Sequence, residues 1–143
     1  MSRAVLMSIR PEWVKHIFIT QDKLYEVRKR LPRIKPPYKV YVYCTLSQPL
    51  IYKESMLYKG NVNGYVCGEF TVIKHIEVSP PFHNKAYGTC LTDADLAKYA
   101  NGKSVSFMQI FQPKMYLKPI ELKEFDVNRP PQSFQFVEEK NNG

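Results

Sequence analysis

Lys23-Leu24-Tyr25-Glu26-Val27-Arg28-Lys29 is the stretch on which the reading of this chain turns. Its alternation predicts a half-buried strand, with Tyr25 and Val27 on one face and Leu24, Glu26 and Arg28 on the other. On such a strand Glu26 and Arg28 project from the same face about 6–7 Å apart. A carboxylate beside a guanidinium stays ionised and positions it. Lys23 stands at the strand entrance, where a flexible amine can reach into a groove. Two cations with one acid suit a phosphate, a carboxylate or the edge of a nucleobase. A solvent-exposed, salt-bridged strand accounts for the same pattern.

Upstream, Val5 to Ile9 reads as a buried strand. Pro11 then opens a helix whose apolar face carries Trp13, Val14, Ile17 and Phe18. Arg10 falls at that strand-to-helix junction, where helix amides favour anions. Beside Ser8 and Arg10, Trp13 is placed either to stack a base or to fill the core with Ile17. Downstream, the basic, proline-rich run Lys29–Pro37 is a connector, since proline breaks helix interiors and central strands. Tyr38–Cys44 is a strand rich in β-branched and aromatic residues.

Asn61-Val62-Asn63-Gly64 marks a turn before a strand from Tyr65 to Ile73, extended by Ile76–Val78 past a kink. Gly68 within it signals a bulge or a close backbone approach. Glu69 follows in an apolar setting, where an acid needs a partner. Lys23 and Arg28 are the expected partners, and the three side chains are expected to meet around one open hollow. A second helix is capped by Thr92 with Asp95 three residues on, stapled by Leu91 and Leu96, and closed by Asn101-Gly102. Two further short strands, Ser106–Ile110 and Met115–Leu117, precede a turn or edge piece over Pro119–Phe125 and a last strand over Ser133–Val137. The pattern predicts an α+β fold, a small β-barrel of mixed strands with two main helices. Residues 1–139 form the expected single domain, and 140–143 a frayed tail.

Of the net charge of +8 over 143 residues, +7 falls in residues 1–40, which hold ten Lys/Arg against three acids. Such a field attracts polyanions, of which nucleic acid is the commonest, although an ordinary solvated basic face carries the same charge. Cys44, Cys67 and Cys90 form no paired or metal-binding spacing and read as free thiols. His16, His75 and His83 show no ligand spacing, so no metal is expected, and no cofactor fingerprint is present. No apolar run approaches the ~20 residues of a membrane span, and the start lacks a signal peptide's apolar stretch. A soluble cytoplasmic protein is the expectation.

Ser8-Ile9-Arg10-Pro11-Glu12-Trp13, Lys23-x-x-Glu26-x-Arg28-Lys29, Val40 to Thr45, Gly68-Glu69-Phe70, Cys90-Leu91-Thr92 and the stretches Lys118–Phe125 and Pro130–Phe134, taken in this order, resemble the ASCH domain, nearest its short bacterial and phage members. The resemblance implies a PUA-like β-barrel with a cleft beside the first helix, lined by Lys23, Glu26 and Arg28. It implies RNA or a nucleotide-like ligand as partner, and together with the residue reading above the expected contacts are Ser8, Arg10, Trp13, Lys23, Glu26, Arg28, Lys29 and Tyr43.

Some relatives hydrolyse N4-acetylcytidine or RNA. On that alternative Lys23 and Glu69 are the catalytic pair, and a phage-derived protein-interaction module is a further alternative. Gln21 stands where the motif has glycine, Met108-Gln109 where a Trp-His pair is common, and Glu26 where the acetylcytidine hydrolases have a threonine nucleophile.

Overall fold

The computed structural model describes residues 2–47 and 62–140. The chain runs β1 (Arg3–Ile9), α1 (Pro11–Phe18), β2 (Tyr25–Arg28), β3 (Tyr38–Cys44), β4 (Val66–Val78), α2 (Asp93–Ala100), β5 (Val105–Ile120), a 3-10 turn (Leu122–Phe125) and β6 (Phe134–Glu138). The strands form one mixed sheet in the order β2-β5-β4-β3-β1-β6. β1 and β3 are parallel, with α1 and β2 inside the crossover between them, and the other neighbours are antiparallel.

Strand alternation gives the sheet two apolar faces. Val5, Met7 and Ile9 of β1, Val40 and Val42 of β3 and Phe70 and Val72 of β4 pack with Val14, Ile17 and Phe18 of α1. Ala4, Leu6 and Tyr41 pack on the other face with Tyr116, Phe125 and Val137. A third cluster under α2 joins Leu96 and Ala100 to Val27, Phe82, Val105 and Phe107. Each fully buried side chain of this kind contributes on the order of 1.5–3 kcal/mol.

Pro11 occupies the first turn of α1, as its fixed φ dictates, and Arg10 caps the helix through its backbone alone. The Thr92 hydroxyl accepts the Asp95 amide at 3.0 Å, and Asn101 closes α2 with φ 51°. At Gly68 an added Cβ would lie 2.7 Å from the Lys114 carbonyl and 2.8 Å from the Phe18 ring, so the close approach read from sequence is real. The register shifts at the same place. The turn at 62–64 is present, while Asn61 lies outside the described residues.

Three expectations need correction. The two short strands read around residues 106–117 are one strand of 16 residues, β5. Between the two lies Gln112-Pro113, where proline cannot donate to a ladder. The pair instead sits in a bulge, with Gln112 at φ 49° and the register skipping from Phe111 to Lys114.

The sheet is not closed into a barrel, because its ladder ends at β2 on one side and β6 on the other. Side chains span the gap instead. Arg28 of β2 donates to the Ser8 carbonyl in β1 at 3.1 Å and to Ser133 Oγ, just before β6, at 3.0 Å. Of the expected frayed tail, Lys140 is anchored, its amide donating to the Tyr41 hydroxyl at 2.7 Å, and 141–143 lie outside the described residues.

Candidate functional site

The face of β2 that carries Glu26 and Arg28 turns toward α1. Lys23 enters the same space from the turn after α1 and is almost fully enclosed. Its ammonium donates to the Thr89 carbonyl at 2.7 Å, lies 3.7 Å from Glu26 Oε1, and sits 4.9 Å from the centre of the Trp13 ring. Burial pushes the Lys23 pKa below its usual value, opposed by the Glu26 carboxylate. The face of an indole and a carboxylate are what a dehydrated ammonium needs.

Arg28 has little left for a ligand. Its Nε and Nη2 both lie 2.7 Å from Glu26 Oε2, Nη1 holds Ser133, and Nη2 also holds the Ser8 carbonyl. The Ser8 hydroxyl is likewise occupied, donating to the Pro131 carbonyl at 2.6 Å. Arg28 and Ser8 border the hollow beside α1, with most of their polar atoms already held by protein partners. Both lock the seam between the two edges of the sheet.

Beside this buried triad runs a groove. A hollow of about 400 Å³ is lined by Trp13, Lys23, Glu26, Leu91 and Tyr99, with Arg10 and Glu12 also bordering it. A second of about 450 Å³ shares Arg10, Trp13, Glu26, Val27 and Tyr99 with the first, so the two adjoin. The Arg10 side chain is exposed and, among the described residues, makes no hydrogen bond or ion pair. The Lys29 ammonium lies over the Tyr99 ring, 4.8 Å from its centre, and makes no ion pair among the described residues. Trp13 packs on the core along one side and lines the groove with the other.

Glu69 and Tyr43 are elsewhere. Glu69 alternates with Gly68 and Phe70, so its carboxylate faces away from α1. There Oε1 accepts the Tyr116 hydroxyl at 2.9 Å and Oε2 holds Lys39 at 3.1 Å. Burial, then the neighbouring Glu69 charge, push the Tyr116 pKa well above the phenol range. Tyr43 is buried in the same far-side cluster as Tyr41. The expected meeting of Lys23, Arg28 and Glu69 is therefore overturned. Lys23 and Arg28 share Glu26, and the sheet lies between them and Glu69.

The fold is shared with solved proteins. The ASCH protein of Zymomonas mobilis matches 94% of this chain and 87% of its own, at TM-score 0.71 and 17% identity. Two mutants of that protein match equally well, at 18% and 16% identity and 90% and 88% of their chains. The chain has the ASCH-domain fold. No family model and no curated protein matches it.

Within the ASCH fold the departures noted in sequence acquire a physical reading. Gln21, standing in the glycine position, takes φ 55°, so the tight turn that aims Lys23 inward is retained at the cost of a strained backbone. Met108 pairs with Glu26 across β2 and β5 and is fully buried in the α1 core, so this position supplies packing to the ASCH sheet. Sequence reasoning missed Tyr99, Leu91 and the Thr89 carbonyl. Tyr99 had a signal, as an aromatic on α2 off the face carrying Leu96 and Ala100. Thr89 had none, since a backbone carbonyl carries no mark in sequence.

Proposed function

We propose that this protein binds single-stranded RNA or a nucleotide in the groove beside α1. A base lodges against Trp13 and Tyr99, and its phosphates meet Arg10 and Lys29. The observation that carries the reading is a pair of adjoining hollows, both lined by Trp13, Tyr99 and Arg10, with the Lys29 ammonium over the Tyr99 ring. Stacking on an aromatic contributes about 1–3 kcal/mol per base and tolerates any base, while cations outside ion pairs remain available to phosphate. Glu26 and Lys23, dehydrated beneath, present an acceptor and a donor to a base edge.

Titration of labelled single-stranded RNA over a range of salt tests this. Trp13→Ala and Tyr99→Ala each weaken binding by about 5- to 150-fold. Arg10→Ala and Lys29→Ala each make the slope of log K against log salt shallower by about 0.7. Salt-independent binding, or full affinity in both aromatic variants, overturns the reading.

One observation favours a second reading, hydrolysis of RNA or of a modified nucleoside. Lys23 is a dehydrated amine with a lowered pKa beside a carboxylate in a groove. The pair available for such chemistry is Lys23 with Glu26, not with Glu69. Turnover of acylated cytidine or RNA that is lost in Lys23→Met supports it, and an inert wild-type protein removes it.

A further inference from the structure

Sequence spacing carried no metal signal, yet the fold gathers three dissimilar ligand atoms. His16 lies in the last turn of α1, Asp22 follows the Gln21 turn, and Cys90 lies just before α2. The His16 Nδ1, an Asp22 carboxylate oxygen and the Cys90 Sγ all lie within 4.8 Å of one another. His16 Nδ1 and Asp22 Oδ1 are 2.8 Å apart. The Thr20 hydroxyl donates to that same oxygen at 2.5 Å and lies 3.3 Å from Nδ1, fixing the pair. On the other side, the Thr89 hydroxyl donates to the Ala86 carbonyl and accepts the Leu91 amide, holding the turn in which Cys90 takes φ 64°.

We propose that His16, Asp22 and Cys90 form a binding site for one zinc-class divalent cation, with a fourth position left to water or a ligand. One imidazole nitrogen, one carboxylate oxygen and one thiolate are three of the four donors of a tetrahedral site of the open type. A thiolate and an imidazole select zinc or cobalt over magnesium or calcium, which take oxygen donors. In such a site Zn–N and Zn–O are near 2.0–2.2 Å and Zn–S near 2.3 Å, which places donors roughly 3.3–3.7 Å apart. To reach this the widest pair closes by about 1 Å and the His16–Asp22 pair, now 2.8 Å apart, opens by about 0.5 Å. The side chains are partly exposed and reach that by rotamer adjustment.

The cation replaces the hydrogen bond between His16 Nδ1 and Asp22: the neutral imidazole binds it through Nδ1 with its ring proton on Nε2, and the Cys90 thiol gives up its proton to solvent. Bound there, it ties the end of α1 to the turn before α2. Those two segments flank Lys23, since Asp22 precedes it and Thr89, which precedes Cys90, accepts its ammonium. The inference is independent of the RNA-binding reading.

Cobalt(II) titration of the untagged, chelator-stripped full chain tests it. The expected result is a sulfur-to-cobalt charge-transfer band and tetrahedral d–d bands saturating at one equivalent and displaced by zinc. Quenching of Trp13, the only tryptophan, accompanies them, because its ring centre lies 6.2 Å from that of His16. At a hundredfold excess of zinc over Kd, Tm rises by roughly 5–10 °C. Cys90→Ser abolishes the charge-transfer band, and Asp22→Asn weakens binding at least tenfold.

Cys90→Asn is the companion variant, since asparagine accepts positive φ and keeps the turn if serine does not. It too lacks the band while retaining the wild-type circular dichroism. No band in the wild-type protein, or a band that survives in a folded Cys90 variant, overturns the proposal.

Discussion

Replacing Arg28 with methionine separates a seam residue from a ligand residue. Methionine keeps much of the stem's packing and removes every donor. The bonds lost are two contacts of 2.7 Å to Glu26, one of 3.0 Å to Ser133 and one of 3.1 Å to the Ser8 carbonyl. The charged contact is worth about 1.5–3 kcal/mol and each neutral one about 1 kcal/mol. Glu26 is not stranded completely, because Lys23 remains 3.7 Å away. The net cost falls at about 3–4 kcal/mol, near the lower end for breaking a buried ion pair.

Against a typical stability of about 5–15 kcal/mol the variant still folds in dilute buffer. Urea unfolding followed by Trp13 fluorescence shows the loss as a midpoint lowered by about 1.5–2 M. Folded Arg28→Met retains RNA affinity within about threefold. Adding Glu26→Gln costs less than the separate losses predict, by about 1–3 kcal/mol, because the stranded charge is removed with its partner. A midpoint shift worth under about 1 kcal/mol together with a tenfold loss of affinity would refute the reasoning and return Arg28 to the ligand.

Glu69→Gln breaks the contact with Lys39 on the far face and leaves RNA affinity and any turnover unchanged within about twofold. A tenfold loss in either assay places Glu69 back in the site. Gln21→Gly relieves the positive φ and raises stability by about 0.5–1 kcal/mol, the strain removed less the added chain entropy of glycine, as read by chemical unfolding. The Thr20 hydroxyl and His16 hold the Asp22 pKa at about 2, below the ordinary 3.8. A lowered carboxylate pKa stabilises the fold above the unfolded value and ceases to do so as pH falls through the folded one. The Asp22 contribution is therefore present above about pH 4 and disappears toward pH 2. An Asp22→Asn variant shows a smaller loss of stability across that window, and a carboxyl resonance titrating near 3.8 contradicts the assignment.

Much of the fold was legible because its signals are local. The alternation of Tyr25-Glu26-Val27-Arg28, the β-branched run Tyr38–Cys44 and the Pro11 and Thr92 helix starts depend only on neighbours along the chain, and they were read with nearly the observed boundaries. Gly68 announced a close contact without naming its partner, Phe18. The pieces Ser106–Ile110 and Met115–Leu117 form one strand through a bulge at Gln112-Pro113 that depends on the facing strand β4, which no local pattern shows. The site was half legible. Glu26 and Arg28 share a face because a strand's two faces follow from parity, whereas Lys23 was legible only as an amine at the strand entrance and Trp13 only beside Ser8 and Arg10. Glu69 was misplaced because its own parity could be read, but not which face of the sheet α1 would cover.

Residue order by itself determined the strands, the helices, the surplus of cations before residue 41 and the shared face of Glu26 and Arg28, all set by periodicities of two and 3.6 residues. Tertiary structure alone decided that Arg28 is spent on joining two sheet edges, that Tyr99 from α2 completes the groove, and that His16, Asp22 and Cys90 become neighbours. Those outcomes depend on strand order and on the path of the crossover between β1 and β3. They arise from packing among segments far apart in the chain, for which no local pattern encodes a distance.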